Sequence, residues 1–326
     1  MQHDPYLNDP NRWGVSLAQA AEIMLPCLDA AGARSVVEVG AYAGDLTRVL
    51  VDWAAGAGAR VAAIDPAPRE GLETLAREHS ELELIRETSI AALPRIPLPD
   101  AVVIDGDHNY HTVSEELRLI GERAPGAELP LLLFHDVCWP HGRRDDYFAP
   151  ELVPDELRQP LAGTGSGIVP GDPGLRPGGL PYARSAAREG GARNGVLTAI
   201  EDFVGGREGL RLAVVPVFFG FGAVWHREAS WSAEVARILD PLDRNPVLER
   251  LEANRVHHLA LGHMRLVELA EERDRGERHE AVLRRLLESS AFAVAERLSR
   301  LRVRARVAPA QSVVSKAEIR RALRRR

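Results

Sequence analysis

Cysteine is scarce in this chain, because Cys27 and Cys138 are the only two among its 326 residues. Two thiols cannot form a disulfide framework or a zinc cluster, and we expect each to be a small buried or half-buried side chain. A run of about eighteen uncharged apolar residues, the length that crosses a bilayer, is also absent. The N-terminus, Met-Gln-His-Asp-Pro-Tyr, lacks the basic and apolar regions of a signal peptide. We therefore expect a cytoplasmic protein that does not enter membranes.

Positive charge is in deficit overall, with a formal net charge of -6 at pH 7. This deficit argues against nucleic acid as the main substrate, because phosphate binding needs a concentrated basic surface. The exception is Lys316 to Arg326, which is locally basic and could touch an acidic partner or a membrane surface. A solvated, frayed terminus is the simpler interpretation, and we favour it.

A glycine-marked turn is the most informative feature that is present. Residues 36–47 read Val-Val-Glu-Val-Gly-Ala-Tyr-Ala-Gly-Asp-Leu-Thr, which predicts a buried strand, a turn and a helix. Gly40 and Gly44 allow a sharp turn and a close approach of a ligand to the backbone near the helix start. A dinucleotide fingerprint needs G-x-G-x-x-G, whereas this turn begins with Glu38 and carries Tyr42 at the middle glycine position. The pattern suits a cationic cofactor better than a diphosphate.

Four further apolar segments carry polar residues where each one ends. Arg60 to Ile64 leads into Asp65, and Leu82 to Arg86 leads into Thr88 and Ser89. Asp105 follows the fourth apolar run, and the fifth ends in His135 and Asp136. Helix-like segments alternate with these strands, which predicts a parallel sheet with a ligand crevice along its carboxyl edge. The fold class is therefore a doubly wound α/β domain.

With Asp-Gly-Asp-His-Asn-Tyr at 105–110 and His135-Asp136 after the fifth strand, the chain resembles class I S-adenosylmethionine (SAM)-dependent methyltransferases. Within them it is similar to the branch of cephalosporin-hydroxylase-like and macrolide-sugar O-methyltransferases. The resemblance covers roughly residues 31 to 137 and resumes from Asn194 to about Trp225, where two segments look like the family's closing antiparallel hairpin. It implies a Rossmann-like, seven-stranded methyltransferase sheet.

The expected organisation has three parts. They are an N-terminal helical segment at 1–30, a SAM-binding domain at 31–228 and a helical C-terminal region at 229–326. Proline and glycine accumulate at 139–193, and we predict a substrate lid there, since long irregular segments next to a reaction centre are commonly functional. A disordered insertion without substrate contacts is the alternative. The leucine-rich C-terminal helices lead us to predict a homodimer.

The resemblance also implies a set of cofactor contacts. Glu38 would accept hydrogen bonds near the methionine amino group, and Asp65 would bind the ribose hydroxyls. Ser89 would lie near the adenine, and Asp105 would close the same pocket. Gly40 and Gly44 would let the backbone approach the cofactor, and Tyr42 departs from the commoner glycine. The alternative for Asp65 is a carboxylate that only caps a turn.

Methyl transfer requires the protein to position the acceptor and to deal with its proton. Asp105 and Asp136 could bind Mg²⁺, which favours oxygen ligands, and His108 or His135 could serve as the general base. His135 stands where metal-dependent relatives often have a carboxylate, and imidazole is a poor Mg²⁺ ligand. A metal-free site, in which a His/Asp pair handles the proton, therefore stays open. So does a structural role, with Asp105 as a helix cap and His135 as a core residue.

The expected function is transfer of a methyl group from SAM to a hydroxyl of a small-molecule acceptor, such as a sugar or a polyketide-type secondary metabolite. N-methylation of a small-molecule amine is the nearest alternative among enzymes, because it needs less base assistance and no metal. A catalytically inactive SAM-binding scaffold is the alternative of a different class. A dehydrogenase is less consistent with the glycine spacing.

Overall fold

A seven-stranded sheet forms the centre of the protein, which a computed structural model describes for residues 16–324, except 164, 308 and 310–313. The parallel strands are short apolar runs, most of whose side chains are buried. The bounds of the strands are β1 Ser35–Val39, β2 Arg60–Ile64, β3 Leu82–Ile85, β4 Ala101–Ile104, β5 Leu131–Phe134, β6 Ser166–Gly167, β7 Arg176–Pro177, β8 Leu210–Val215 and β9 Phe221–His226. The two-residue strands β6 and β7 form a separate antiparallel pair.

The strand order of the main sheet is β3-β2-β1-β4-β5-β9-β8. The first five strands are parallel, and β9 runs antiparallel to β5 and to β8. The predicted Rossmann-like sheet and its closing hairpin are thus confirmed. Because β1 to β5 are parallel, their carboxyl ends share one edge, where Asp65, Asp105 and His135 each follow the last residue of a strand.

The bounds of the helices are α1 Ala21–Ala30, α2 Asp45–Ala57, α3 Glu70–Glu78, α4 Ser89–Ala92, α5 Tyr110–Arg123, α6 Val196–Gly205, α7 Ser232–Leu239, α8 Pro246–Glu288, α9 Ser290–Arg304 and α10 Lys316–Arg324. Helices α1 to α7 pack against the two faces of the sheet. Successive strand residues point to opposite faces, so Val102 joins the core beneath α5 and α6, whereas Val103 joins the core beneath α1, α2 and α7. In the predicted N-terminal helical segment, a 3-10 turn and α1 occupy residues 17–30, and residues 1–15 lie outside the described part.

The lid at 139–193 has little regular structure, yet a buried polar network holds it in place. Arg144 has no solvent exposure and donates hydrogen bonds to the carbonyl oxygens of Ala186, Pro173 and Gly174. The guanidinium of Arg144 is therefore used inside the lid and is not free to hold an acceptor.

Asp145 attaches the lid to the core. Its Oδ1 accepts from the backbone nitrogens of Tyr110, at 2.8 Å, and Gly195, at 2.6 Å, which stand at the starts of α5 and α6. Its Oδ2 accepts from the hydroxyl of Tyr147 at 2.7 Å. One buried carboxylate therefore joins two helix starts and the lid, and the first part of the lid packs against the domain.

Two compact units divide the chain, Met1–Leu261 and Gly262–Arg326. The unit that contains the sheet thus extends into α8, and the domain boundaries expected from the sequence stay a prediction. Within the first unit, Glu252 of α8 accepts a hydrogen bond from the backbone nitrogen of Phe219 in the β8–β9 turn. Within the second unit, Lys316 donates to the carbonyl oxygen of Leu287 at 2.5 Å.

Over the described residues, no helix is both long and apolar enough to cross a membrane.

Candidate active site

A cavity of about 550 Å³ opens at the carboxyl edge of the parallel strands. Five segments supply most of its wall, namely residues 38–46, 64–66, 88–90, 105–112 and 148–153. The first four are turns after β1, β2, β3 and β4, and the last belongs to the lid. A ligand crevice at this edge is the general rule for open α/β sheets, and its volume lies in the range of small-molecule sites.

The turn after β1 forms the floor of the cavity. Glu38 is almost fully buried and accepts a hydrogen bond from the Thr47 hydroxyl at 2.7 Å. Burial raises the pKa of Glu38 to about 8, although the Thr47 hydrogen bond opposes the rise. A cationic ligand group would therefore stabilise the Glu38 carboxylate, which is costly to bury alone.

The two glycines of this turn have different surroundings. Gly40 lines the cavity at φ 87°, and a Cβ there would lie 2.2 Å from the carbonyl oxygen of Asp105. Gly44 adopts φ 86° at the start of α2 and does not line the cavity; a Cβ there would meet the Leu75 side chain at 2.7 Å. Both glycines therefore adopt left-handed backbone conformations and lie too close to neighbouring atoms to carry a Cβ. Only Gly40 lines the cavity.

Asp65 holds the same turn together. Its Oδ2 accepts from the backbone nitrogen of Tyr42, and its Oδ1 accepts from that of Ala67, both at 2.7 Å. Tyr42 lines the cavity with φ 42°, and its ring is more than half exposed beneath the guanidinium of Arg69. Asp65 is therefore a turn-stabilising carboxylate that also faces the ligand space, where its remaining lone pairs can accept from hydroxyl groups.

Four titratable residues meet next to the cavity at the ends of β4 and β5. Nδ1 of His135 lies 3.1 Å from Asp105 Oδ1 and 3.3 Å from Asp136 Oδ2. Nε2 of His108 lies 3.5 Å and 3.3 Å from the same two oxygens, with neither aligned for a hydrogen bond. Asp105 and His108 line the cavity; His135 and Asp136 do not line it but touch these two. The sequence-predicted catalytic residues thus come together, although they follow two different strands.

Attraction between the carboxylates and the histidines sets the pKa values of this cluster. Burial alone would raise the pKa of Asp136 and of Asp105, but the facing histidines lower both. Burial alone would lower the pKa of His108, but Asp136 and Asp105 raise it to about 9. Asp136 and Asp105 likewise raise the pKa of His135 well above its usual value, against the effect of burial. In the free protein both histidines are therefore favoured as imidazolium ions near neutral pH.

Asp105, His135 and Asp136 each offer one atom to a potential metal ion, and these atoms lie within 4.8 Å of one another. Nε2 of His135 contacts the carbonyl oxygen of Phe218 at 2.7 Å. A carbonyl oxygen only accepts, so Nε2 carries the proton and Nδ1 faces the carboxylates. This is the arrangement in which a second contact orients a metal-binding imidazole. The donor set therefore fits a divalent cation, whose binding would displace the proton from Nδ1 of His135.

The side of the cavity next to Ser89 contains a contact that the sequence did not indicate. Ser89, the first residue of α4, lines the cavity, and its hydroxyl is hydrogen-bonded to Oε1 of Glu116 on α5. Glu116 has no solvent exposure, and its Oε2 has no hydrogen-bond partner. In the sequence Glu116 is one acid among several on an amphipathic helix, so only the packing of α4 against α5 distinguishes it.

The lid contributes apolar groups to the cavity wall. Phe148 and Leu152 line it and are 53% and 66% exposed, and the backbone nitrogen of Phe148 donates to Asp107 Oδ1 at 2.8 Å. The ring of His141, also in the lid, lies 5.1 Å from that of His108. No pattern in the sequence distinguishes Phe148, Leu152 or the carbonyl of Phe218. Asp107 could have been found, because it belongs to the Asp-Gly-Asp-His motif.

Comparison with known proteins agrees with the fold of the sheet. Residues 37–137 match the family model described as a methyltransferase domain. No curated protein sequence matches the chain. The strand order and the closing hairpin are those of a Rossmann-like methyltransferase fold, and the matched residues contain most of the parallel part of the sheet. The chain therefore contains a methyltransferase domain.

Solved structures give fold-level likenesses. An SAH-bound methyltransferase from Podospora anserina is 15% identical, with 68% of this chain and 83% of that one covered and a TM-score of 0.42. An O-methyltransferase from neocarzinostatin biosynthesis is 14% identical, covering 64% and 55% at a TM-score of 0.37. Human N-acetylserotonin methyltransferase is 11% identical, covering 67% and 56% at a TM-score of 0.36. At these values the neighbours carry no information on the acceptor.

Proposed function

We propose that this methyltransferase transfers the methyl group of SAM to a hydroxyl of a small-molecule acceptor. The observation that carries the proposal is the cluster of Asp105, His135, Asp136 and His108 at the cavity edge. A hydroxyl is a poor nucleophile until its proton is removed or its pKa is lowered. A site with two carboxylates and two imidazoles supplies groups for both.

The residues on the first four strand ends fit SAM. Glu38 offers a buried carboxylate for the positive charge of the methionine amino group. Asp65 faces the cavity with lone pairs for ribose hydroxyls, and Ser89 presents a hydroxyl beyond it. Asp105 borders both the cofactor space and the carboxylate cluster. The cofactor would thus extend along the sheet edge, with its sulfonium towards β4.

The acceptor would enter beneath the lid. Phe148 and Leu152 give that side of the cavity an apolar wall, and His108 gives it a polar corner. An acceptor with an apolar ring or chain and a hydroxyl group matches this division. A sugar or a polyketide-type secondary metabolite carries such groups, and the lid contacts would position the hydroxyl near His108.

A divalent cation would be held by Asp105 and Asp136, as expected from the sequence, with Nδ1 of His135 as a third ligand. The chemistry such an ion supplies is a lower pKa for the acceptor hydroxyl. Two oxygens and one imidazole nitrogen suit Mn²⁺, Fe²⁺ or Zn²⁺ better than Mg²⁺, which prefers oxygen alone. Magnesium therefore remains one candidate among several.

The chain's own groups also handle the acceptor proton. Both nitrogens of His135 are engaged, by Phe218 and by the two carboxylates, so His135 is poorly placed to take a proton. His108 reaches the cavity wall and touches Asp136. We therefore assign a positioning role to His135 and the proton transfer to His108 and Asp136. His108 would accept the proton in its neutral form, which the positive charge of bound SAM favours by lowering the His108 pKa. In a metal-free site the same His108 and Asp136 pair would act alone.

The alternatives are N-methylation of a small-molecule amine and a catalytically inactive SAM-binding scaffold. An amine needs no metal and little base assistance, so variants of the carboxylate cluster would leave its methylation nearly unchanged. A scaffold would bind SAM and turn over no acceptor.

Calorimetric titration with SAM and with NAD, each with a divalent cation and then with EDTA, is the first test. Micromolar binding of SAM alone would support the proposal, and acceptor hydroxyls and amines would then be compared for turnover. Binding of NAD alone would contradict it. Turnover of amines that is insensitive to EDTA and to Asp136→Asn would favour the N-methyltransferase.

A further inference from the structure

The Ser89 and Glu116 pair lies at the far end of the cofactor space. Ser89 follows β3, the outermost strand of the sheet, whereas Asp65 follows β2 next to it. If Asp65 binds the ribose, the purine extends towards Ser89. The edge of adenine that carries N1 and the amino group lies farthest from the sugar, so this edge would meet the Ser89 hydroxyl.

Glu116 controls what that hydroxyl can offer. A hydroxyl has one proton and two lone pairs. When Glu116 is a carboxylate, Ser89 must donate its proton to Oε1 and can only accept from a ligand. When Glu116 is a carboxylic acid, its own proton can be donated to Ser89 Oγ, and the Ser89 proton is then free to point into the cavity.

The surroundings favour the acid form of Glu116. Burial raises the pKa of Glu116 to about 8, with Asp107 adding to the rise and with Ser89 and His108 opposing it. Oε2 lacks a hydrogen-bond partner, which would leave part of a carboxylate charge buried without compensation. Asp107 and His108, both in the β4–α5 turn, are the charged groups that act on Glu116. At neutral pH Ser89 is therefore set as a donor.

We propose that Glu116 is a positioning residue that makes the Ser89 hydroxyl a hydrogen-bond donor to N1 of the cofactor's adenine. The inference rests on the proposed cofactor site and adds to it the recognition of the purine edge. Adenine N1 is an acceptor, so the donor form of Ser89 matches it, whereas the acceptor form would leave N1 without a partner.

The test compares S-adenosylhomocysteine with its 1-deaza analogue, in which N1 is replaced by C–H. The affinity of each is measured by calorimetry at pH 6.5 and at pH 9. Glu38 also titrates near pH 8, but it affects both ligands alike, so the ratio of their affinities isolates the N1 contact. The wild-type protein should prefer S-adenosylhomocysteine about tenfold at pH 6.5, the size of one hydrogen bond.

Raising the pH to 9 should reduce that preference towards parity, because only about a tenth of Glu116 would remain protonated. Glu116→Gln should keep the preference at both pH values, since its amide donates to Ser89 without titrating. Ser89→Ala should lose the preference at pH 6.5. Glu115→Gln, an adjacent ion-paired surface residue, is the matched control and should behave as the wild type.

Three results would overturn the inference: a wild-type preference that does not change with pH, an unchanged preference in Ser89→Ala, or a pH dependence in Glu116→Gln equal to that of the wild type. The first uses the wild-type protein alone, so it stays decisive if a variant fails to fold. Failure of the wild type to bind either ligand would instead contradict the proposed function.

Discussion

Nε2 of His135 donates a hydrogen bond to the carbonyl oxygen of Phe218 at 2.7 Å, and this contact directs the other ring nitrogen, Nδ1, towards Asp105 and Asp136. Phe218 and Phe219 both adopt positive φ, at 51° and 68°. The turn is supported from two sides, since Glu252 accepts from the nitrogen of Phe219 and the carbonyl of Phe219 accepts from the nitrogen of Cys138. The closing hairpin thus positions a histidine that follows a different strand.

Asp136→Asn should lower turnover by at least about a hundredfold, because it removes the charge that faces both His108 and His135. The affinity for SAM should change little, since Asp136 does not line the cavity. Steady-state kinetics and calorimetry measure the two quantities. An equal loss of SAM affinity would contradict the catalytic role.

Asp65→Ala should weaken SAM binding by about 1 to 3 kcal/mol, through lost ribose hydrogen bonds. The structure adds a second cause, since the same substitution frees the backbone nitrogens of Tyr42 and Ala67. Asp52→Ala, on the exposed face of α2, is the control. Unchanged affinity in Asp65→Ala, measured by calorimetry, would remove Asp65 from the site.

Glu38→Gln should make the SAM-free protein less sensitive to alkaline pH. Burial raises the pKa of Glu38 to about 8, so the folded state holds its proton more tightly than the unfolded state does. The stability that this gives is present below the unfolded pKa and is lost as the pH rises to about 8. Chemical denaturation from pH 5 to 9 should show a shallower decline for the variant. Parallel declines would show that Glu38 does not titrate in this range.

Asp145→Ala should detach the lid. The variant loses three hydrogen bonds, from Tyr110, Gly195 and Tyr147, and we expect a loss on the order of 2 to 3 kcal/mol in unfolding free energy. Hydrogen exchange should increase in the lid more than in the sheet. Asp155→Asn, an exposed lid residue, is the control. Uniform exchange across the protein would argue against a specific lid role.

The C-terminal helices lead us to expect a homodimer. Leu266 and Leu269 on α8 are 68% and 60% exposed, and such exposed apolar groups are typical of an interaction surface. Light scattering at micromolar concentration should give twice the mass of the chain, and Leu266→Asp combined with Leu269→Asp should halve it. A wild-type monomer would contradict this expectation.

Much of the fold could be predicted because its signals are local. Short apolar runs, each followed by polar residues or a glycine turn, predicted five parallel strands, and the family resemblance implied the closing hairpin. The structure confirms both. Asp105 and Asp136 could be placed at one edge because parallel strands end together. The burial of Arg144 could not be predicted, because its acceptors are backbone carbonyls up to 42 residues away.

The sequence by itself determined the parallel sheet, the glycine turn and the identity of the polar residues at the strand ends, since these depend on period and order along the chain. Only the tertiary structure decided how those residues act. It joined His135 to the carbonyl of Phe218, 83 residues away, and Ser89 to Glu116, 27 residues away. Such contacts depend on which elements pack together. The same packing buries the titratable groups, and their burial helps to set the protonation of each one.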